Sequence, residues 1–195
     1  MRSMLPALLL IFFAVGPALA QEIAEPKTGT KFAVKDGDTS LLGAGLRTKT
    51  IAKVKVYAIG LYVADSALVG PLKGKAGADL YGELVNGDFK KTVVLKFVRN
   101  VSTDQIRDAF RDSLKGAGSK AEPWIAYFND LRSGQEIVIG WVPGVGLKTK
   151  VAGTDKPVLD DKAFASAVFA IWLGDKPIQE DVKRALITRT AELVK

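Results

Sequence analysis

Leu42-Gly-Ala-Gly-Leu-Arg47, followed ten residues later by Tyr57-Ala-Ile-Gly-Leu-Tyr62, governs how the rest of this chain is read. Both segments are apolar and rich in small residues, and their spacing suits a β-hairpin. Over residues 53–63, Val54, Val56 and Ala58 alternate with Lys53, Lys55 and Tyr57, the period of a two-faced strand. A turn centred near Ala52 would set Arg47 opposite Tyr57 across the pair. Gly43, Gly45 and Gly60 remove side chains, so a second backbone or a ligand can come close. Arg47 stands among Leu41, Leu42, Ala44, Leu46 and Ile51. A guanidinium in such company suits a planar anion, because its fork of donors matches a carboxylate or an enolate. The competing reading is an arginine that snorkels to the surface or pairs with an Asp.

The 195 residues suffice for one domain with a substantial core. The start of the chain reads as something else. Arg2 precedes an apolar run over residues 5–15, and Pro17-Ala-Leu-Ala20 supplies the small residues a signal peptidase needs. Residues 1–20 are therefore expected to be a secretory signal cleaved after Ala20, with residues 21–195 the mature domain. The run is short for a membrane span, so no stable anchor is expected once the signal is gone. The expected destination is the periplasm or the exterior.

The chain has no cysteine and no histidine. Disulfides, the usual zinc sites and Ser-His-Asp or Cys-His catalysis are excluded. No metal or cofactor is expected, and the spacing of Asp160, Asp161 and Asp175 fits helix capping better than a metal loop. The net charge of +7 is spread over Lys49, Lys53, Lys55, Lys73, Lys75, Lys90, Lys91, Lys96 and Arg99. No basic run is interleaved with aromatics, so no nucleic-acid partner is expected, and these cations read as solvated faces.

Residues 21–30 look like a flexible lead-in. Strands are expected at 32–34, 40–46, 53–63 and 91–98, with a hairpin of 135–141 and 146–152 around Pro143-Gly144. Residues 68–85 read as loop with a short helix near 79–85. An amphipathic helix is expected at 104–114, capped by Ser102 or Thr103, with Ile106, Ala109, Phe110 and Leu114 on one face. Further helices are expected at 124–131, 161–173 and 178–193. Paired strands before clustered helices argue an α+β fold with helices on one face of the sheet.

The wording of several segments resembles the chalcone isomerase superfamily, in particular its bacterial chalcone isomerase-like members. Gly43-Ala-Gly-Leu-Arg47 and Ala58-Ile-Gly-Leu-Tyr62 fit that family's first long hairpin. Trp141-Val-Pro-Gly-Val-Gly146 and Asp161-Lys-Ala-Phe-Ala-Ser-Ala-Val-Phe-Ala-Ile-Trp-Leu-Gly174 fit its closing strands and C-terminal helices. The resemblance implies an open-faced sandwich: a large antiparallel sheet under a layer of helices, with a ligand cleft between them.

The resemblance also implies which residues to inspect. The family's cleft arginine falls on Arg47. A family threonine that helps hold a water at the substrate ketone falls on Tyr57. The catalytic tyrosine falls on Ile106, which has no hydroxyl. A helix asparagine falls near Ser113, and a threonine of the later helix falls on Ile171. In the superfamily's non-catalytic fatty-acid-binding branch an Arg and a Tyr hold the carboxylate, and Arg47 and Tyr57 match that pair. The leading expectation is thus an exported, non-catalytic binder of a fatty acid or similar apolar carboxylate. Arg47 and Tyr57 would take the head, Ile106, Phe110, Ile171 and Trp172 would line the tail, and Ser113 is counted among the ligand-binding residues. Two other readings are carried: an intramolecular lyase of chalcone isomerase type, and an envelope interaction protein whose cleft has closed around an internally paired Arg47. For Phe110, Phe169 and Trp172 core packing is the stronger reading, and Tyr62 and Tyr81 read as structural or surface groups.

Overall fold

The computed structural model describes residues 21–49 and 52–194. The expected signal segment lies outside the described residues, as does Ile51. In chain order the elements are β1 (Glu22–Ala24), β2 (Lys31–Ala33), β3 (Lys35–Asp36), β4 (Thr39–Lys49), β5 (Val54–Ala64), α1 (Asp65–Val69), α2 (Gly77–Asn86), β6 (Lys91–Phe97), α3 (Thr103–Ser113), α4 (Ala121–Ile125), β7 (Glu136–Val142), β8 (Gly146–Val151), β9 (Thr154–Asp155), α5 (Lys162–Leu173), α6 (Glu180–Ala185) and α7 (Thr190–Leu193).

β3 to β9 form one antiparallel sheet in sequence order, so each strand pairs with its chain neighbour. Alternation along the strands divides the two faces. Ile59, Leu61, Val93, Leu95, Ile137 and Ile139 belong to the main core under the helices. Ala58 and Tyr62 point the other way and join Phe32 and Leu41 in a small second core, covered by the β1–β2 hairpin. The Tyr62 hydroxyl there donates to the Ala33 carbonyl at 2.9 Å. Gly60 makes room for this cover, since a Cβ on it would lie 2.7 Å from the Phe32 ring.

The expected pairing of the long hairpin is found: Arg47 faces Tyr57. Gly43 and Gly45 are used by a backbone. A Cβ on Gly43 would run into the Ala185 carbonyl, and one on Gly45 would come 2.9 Å from the Ala185 side chain. α6 therefore lies directly on β4.

Local chemistry explains the helices. α3 begins with a reciprocal capping box between Ser102 and Gln105 and buries Ile106 and Phe110. At the start of α5, the Asp161 carboxylate accepts the Phe164 N–H at 2.9 Å.

Four expectations need correction. Residues 21–30 are ordered, because the Glu25 carboxylate accepts the Lys27 and Thr28 backbone N–H groups and closes the β1–β2 turn. Asp65–Val69 is a helix, and its last two residues fall in the stretch 68–85 that reads mostly as loop. The helix expected at 124–131 starts and stops earlier, at Ala121 and Ile125: Pro123 suits its first turn, and Leu131 is drawn into a two-bond bridge with Val101. The long last helix is broken between α6 and α7. There the Arg189 N–H donates to the Leu42 carbonyl at 2.8 Å and its guanidinium to the Leu41 carbonyl at 2.7 Å. The β4 ladder slips at this point, leaving Leu42 as an extra residue, and the carbonyls of Leu41 and Leu42 capture the helix.

Candidate functional site

At the hairpin end of β4 and β5 the sheet and helices part to leave a cleft of about 120 Å³. Its floor is Arg47, Tyr57, Leu95 and Phe97, and its roof comes from Ile106 and Phe110 of α3 and Ile171 of α5. Ile178 closes one side, while Lys49, Arg99 and Gln105 also border it.

A second slip in the ladder shapes the floor. Arg47 faces Tyr57 but Thr48 faces Lys55, so Val56 is the extra residue. A bulge of this kind turns two successive side chains toward one face, and both Val56 and Tyr57 line the cleft.

Tyr57 is a buried phenol. Its oxygen accepts the Trp172 indole N–H at 3.0 Å, and its ring lies 5.4 Å from that of Phe97. Among the described residues its own proton has no acceptor. Burial pushes its pKa up, opposed by the Trp172 hydrogen bond and the Arg47 charge. The group therefore keeps its proton and is a donor, not a base.

Arg47 is half-buried. One terminal nitrogen, Nη1, donates to the Gln179 side-chain oxygen at 3.1 Å and to the Thr48 carbonyl. It has no carboxylate partner among the described residues, and no acidic side chain lines the cleft. The reading in which Arg47 pairs with an Asp, and that in which the cleft has closed, do not describe this geometry. A charged fork beside a free O–H, at the wall of an apolar space, can receive a carboxylate through several charge-assisted hydrogen bonds.

Five of the six expected site residues, Arg47, Tyr57, Ile106, Phe110 and Ile171, come together here. Ser113 does not. Seven residues beyond Ile106, it is about 10 Å farther along the helix, exposed, with its hydroxyl donating to the Ala109 carbonyl at 2.8 Å. It borders a neighbouring depression with Asp112, Asp175 and Lys176, which shares Ile171 and Ile178 with the cleft. Trp172 is fully buried and acts behind Tyr57 instead of lining the tail space. Phe169 is core.

Sequence reading missed Val56, Leu95, Phe97, Ile178 and Gln179. Leu95 and Phe97 carried a usable signal, since they share the inward phase of β6 with Val93. The bulge that brings in Val56 has no such signature. Among the described residues no set of three potential ligands is placed to hold a metal.

The profile of the chalcone isomerase-like family matches residues 20–188. The chain belongs to this family. Among its relatives, chalcone isomerase-like protein 1 of Humulus lupulus is 30% identical over 176 residues, covering 77% of this chain and 82% of that protein. Fatty-acid-binding protein 2 of Arabidopsis thaliana is 26% identical over 208 residues, covering 90% of this chain. The match spans about half of that longer relative, 52% of its length. The crystal structure of an Arabidopsis thaliana fatty-acid binding protein superposes with a TM-score of 0.73 at 21% identity, over 89% of this chain and 99% of that one. The fold is thus that of a chalcone isomerase-like protein: an antiparallel sheet with its helices on one face.

Proposed function

We propose that this protein binds a fatty acid or similar apolar carboxylate, without transforming it, in the cleft between β4–β6 and helices α3 and α5. The observation that carries the reading is Arg47, free of any carboxylate partner among the described residues, set opposite the unaccepted Tyr57 proton. The carboxylate lies between these two groups, and the tail packs on Leu95, Phe97, Ile106, Phe110 and Ile171. Two relatives whose names record fatty-acid binding support the same choice.

The isomerase reading has less support. Ile106 occupies the roof where that chemistry would want a hydroxyl, and Tyr57, with its pKa raised, holds its proton too firmly to act as a base. No residue is assigned a catalytic role.

The proposal includes export. Residues 1–20 act as a cleaved signal, and the mature chain from Gln21 works in the periplasm or outside the cell. No helix among the described residues is long and apolar enough to cross a membrane. N-terminal sequencing of protein recovered from its native compartment tests the cleavage after Ala20.

Native mass spectrometry of the mature protein, beside Arg47→Ala, tests the binding. A co-purifying or added fatty acid should be present in the wild type and missing from the variant. A wild type that stays empty with added fatty acid overturns the reading.

A further inference from the structure

Gln179 carries an amide at the point where a carboxylate would silence the cleft. Its Oε1 accepts the Thr48 N–H at 3.0 Å and Arg47 Nη1 at 3.1 Å, with the Thr48 hydroxyl 3.5 Å away. Its Nε2 donates to the Leu46 carbonyl at 3.4 Å. Donors converging on one side and an acceptor on the other leave the amide a single sensible orientation.

Gln179 immediately precedes α6, so it clips the C-terminal helices to the strand that bears Arg47. The nearby acids serve elsewhere. Asp181 pairs with Arg184, and Glu180 is exposed. A carboxylate at position 179 would accept the same donors more strongly and would neutralise the guanidinium. The amide aims the guanidinium and leaves its charge uncompensated.

We infer that Gln179 is a positioning residue that sets the cleft's preference for charged over neutral heads, by fixing one nitrogen of Arg47 while leaving its charge to the ligand. The inference rests on the carboxylate-binding reading of the cleft. It identifies a neutral tether, and not Arg47 and Tyr57 alone, as the source of that preference.

The test compares the full mature chain with Gln179→Glu and Gln179→Met, titrated calorimetrically with decanoate and with decanol. Gln179→Glu should bind decanoate about thirtyfold more weakly, the loss of one charge-assisted contact, with decanol unchanged. Gln179→Met, which frees Arg47 without neutralising it and also gives up the bonds to Thr48 and Leu46, should lose about threefold on decanoate alone. Equal losses for acid and alcohol would indicate a merely structural residue and overturn the inference, as would decanoate affinity unchanged by Gln179→Glu.

A second readout separates this inference from the binding reading. The change in melting temperature caused by Gln179→Glu, which includes the lost Nε2 donation to the Leu46 carbonyl, should be more favourable in the presence of Arg47 than in an Arg47→Met background. If wild type binds neither probe, the ligand reading falls and this cycle decides alone. Coupling between the two positions upholds the control of Arg47's charge by residue 179, and its absence overturns it.

Discussion

Arg47 and Lys91 are both cations on the helix-facing side of the sheet, and they serve opposite ends. Lys91 opens β6, some 20 Å from the Phe97 end that floors the cleft. It is only 1% exposed, and its ammonium donates to the carbonyls of Leu84, Val85 and Gly87 at 2.7, 2.9 and 3.1 Å. The rings of Phe89 and Phe169 each lie 5.0 Å from it. These carbonyls end α2, where the helix dipole attracts a cation, and Lys162 satisfies the intervening Asn86 carbonyl at 2.7 Å. Each of Lys91's three protons has an acceptor. Arg47 spends one nitrogen on Gln179 and Thr48, and its other guanidinium nitrogens have no acceptor among the described residues. A fully buried charge whose donors are all used holds the fold together, and a half-buried one at a cleft wall with donors left over marks a site.

The comparison breaks first at Lys91. Lys91→Met keeps most of the volume but strands three helix-end carbonyls, and should lower stability by about 3 kcal/mol, read from the urea midpoint. Decanoate affinity should not move. There is also a pH signature. Burial, with the Lys162 charge nearby, lowers the Lys91 pKa to about 7. Above that pH the native protein sheds a proton that the unfolded chain keeps until about pH 10.4. The unfolded state then binds more protons, so stability should rise with pH across this window, and the rise should flatten in Lys91→Met.

Arg47→Ala should give the mirror image. Decanoate affinity should fall about thirtyfold, for the loss of charge-assisted hydrogen bonds worth about 2 kcal/mol. Stability should stay within about 0.5 kcal/mol, because no buried partner is orphaned. A variant that unfolds as Lys91→Met does would place Arg47 with the structural cations. Tyr57→Phe falls between the two. It removes one donor to the ligand, about fivefold in affinity, and strands the Trp172 N–H, about 1 kcal/mol of stability. Calorimetric titration and thermal unfolding of the same sample should therefore both respond.

The contrast also shows what the sequence makes legible. The register of Arg47 against Tyr57 follows from strand period and turn position, both local properties. The inward face of α3 follows from the spacing of Ile106 and Phe110. Lys91 looked like any solvated strand lysine, because its acceptors lie on a helix whose end is invisible in its own neighbourhood. The break between α6 and α7 was hidden for the same reason: its cause is a carbonyl on β4, far away in the chain. Ser113 was carried by a family position, but the exposed end of α3 took it away from the cleft. Gln179 belongs with these, since an uncharged residue after Pro177 and Ile178 gives no hint that Arg47 is its partner.

The smallest effect concerns the empty space that Arg47 faces and Lys91 lacks. An engineered cavity of about 150 Å³ accepts one benzene, and this cleft offers about 120 Å³. A saturated acid should gain about 0.8 kcal/mol, close to fourfold, for each methylene that enters. That gain should hold to roughly six carbons and then shrink, because the cleft is filled and further methylenes stay in contact with water. A calorimetric series from butanoate to dodecanoate reads the break directly. A constant increment through dodecanoate would mean that α3 and α5 separate to admit the tail. The packing of Phe110 of α3 on Trp172 of α5, with ring centroids 6.5 Å apart, resists that separation, and Trp124 and Phe128, 5.1 and 4.6 Å from Phe110, hold that ring in place. The length at which the increments fail therefore measures how firmly this aromatic cluster holds the roof against the ligand.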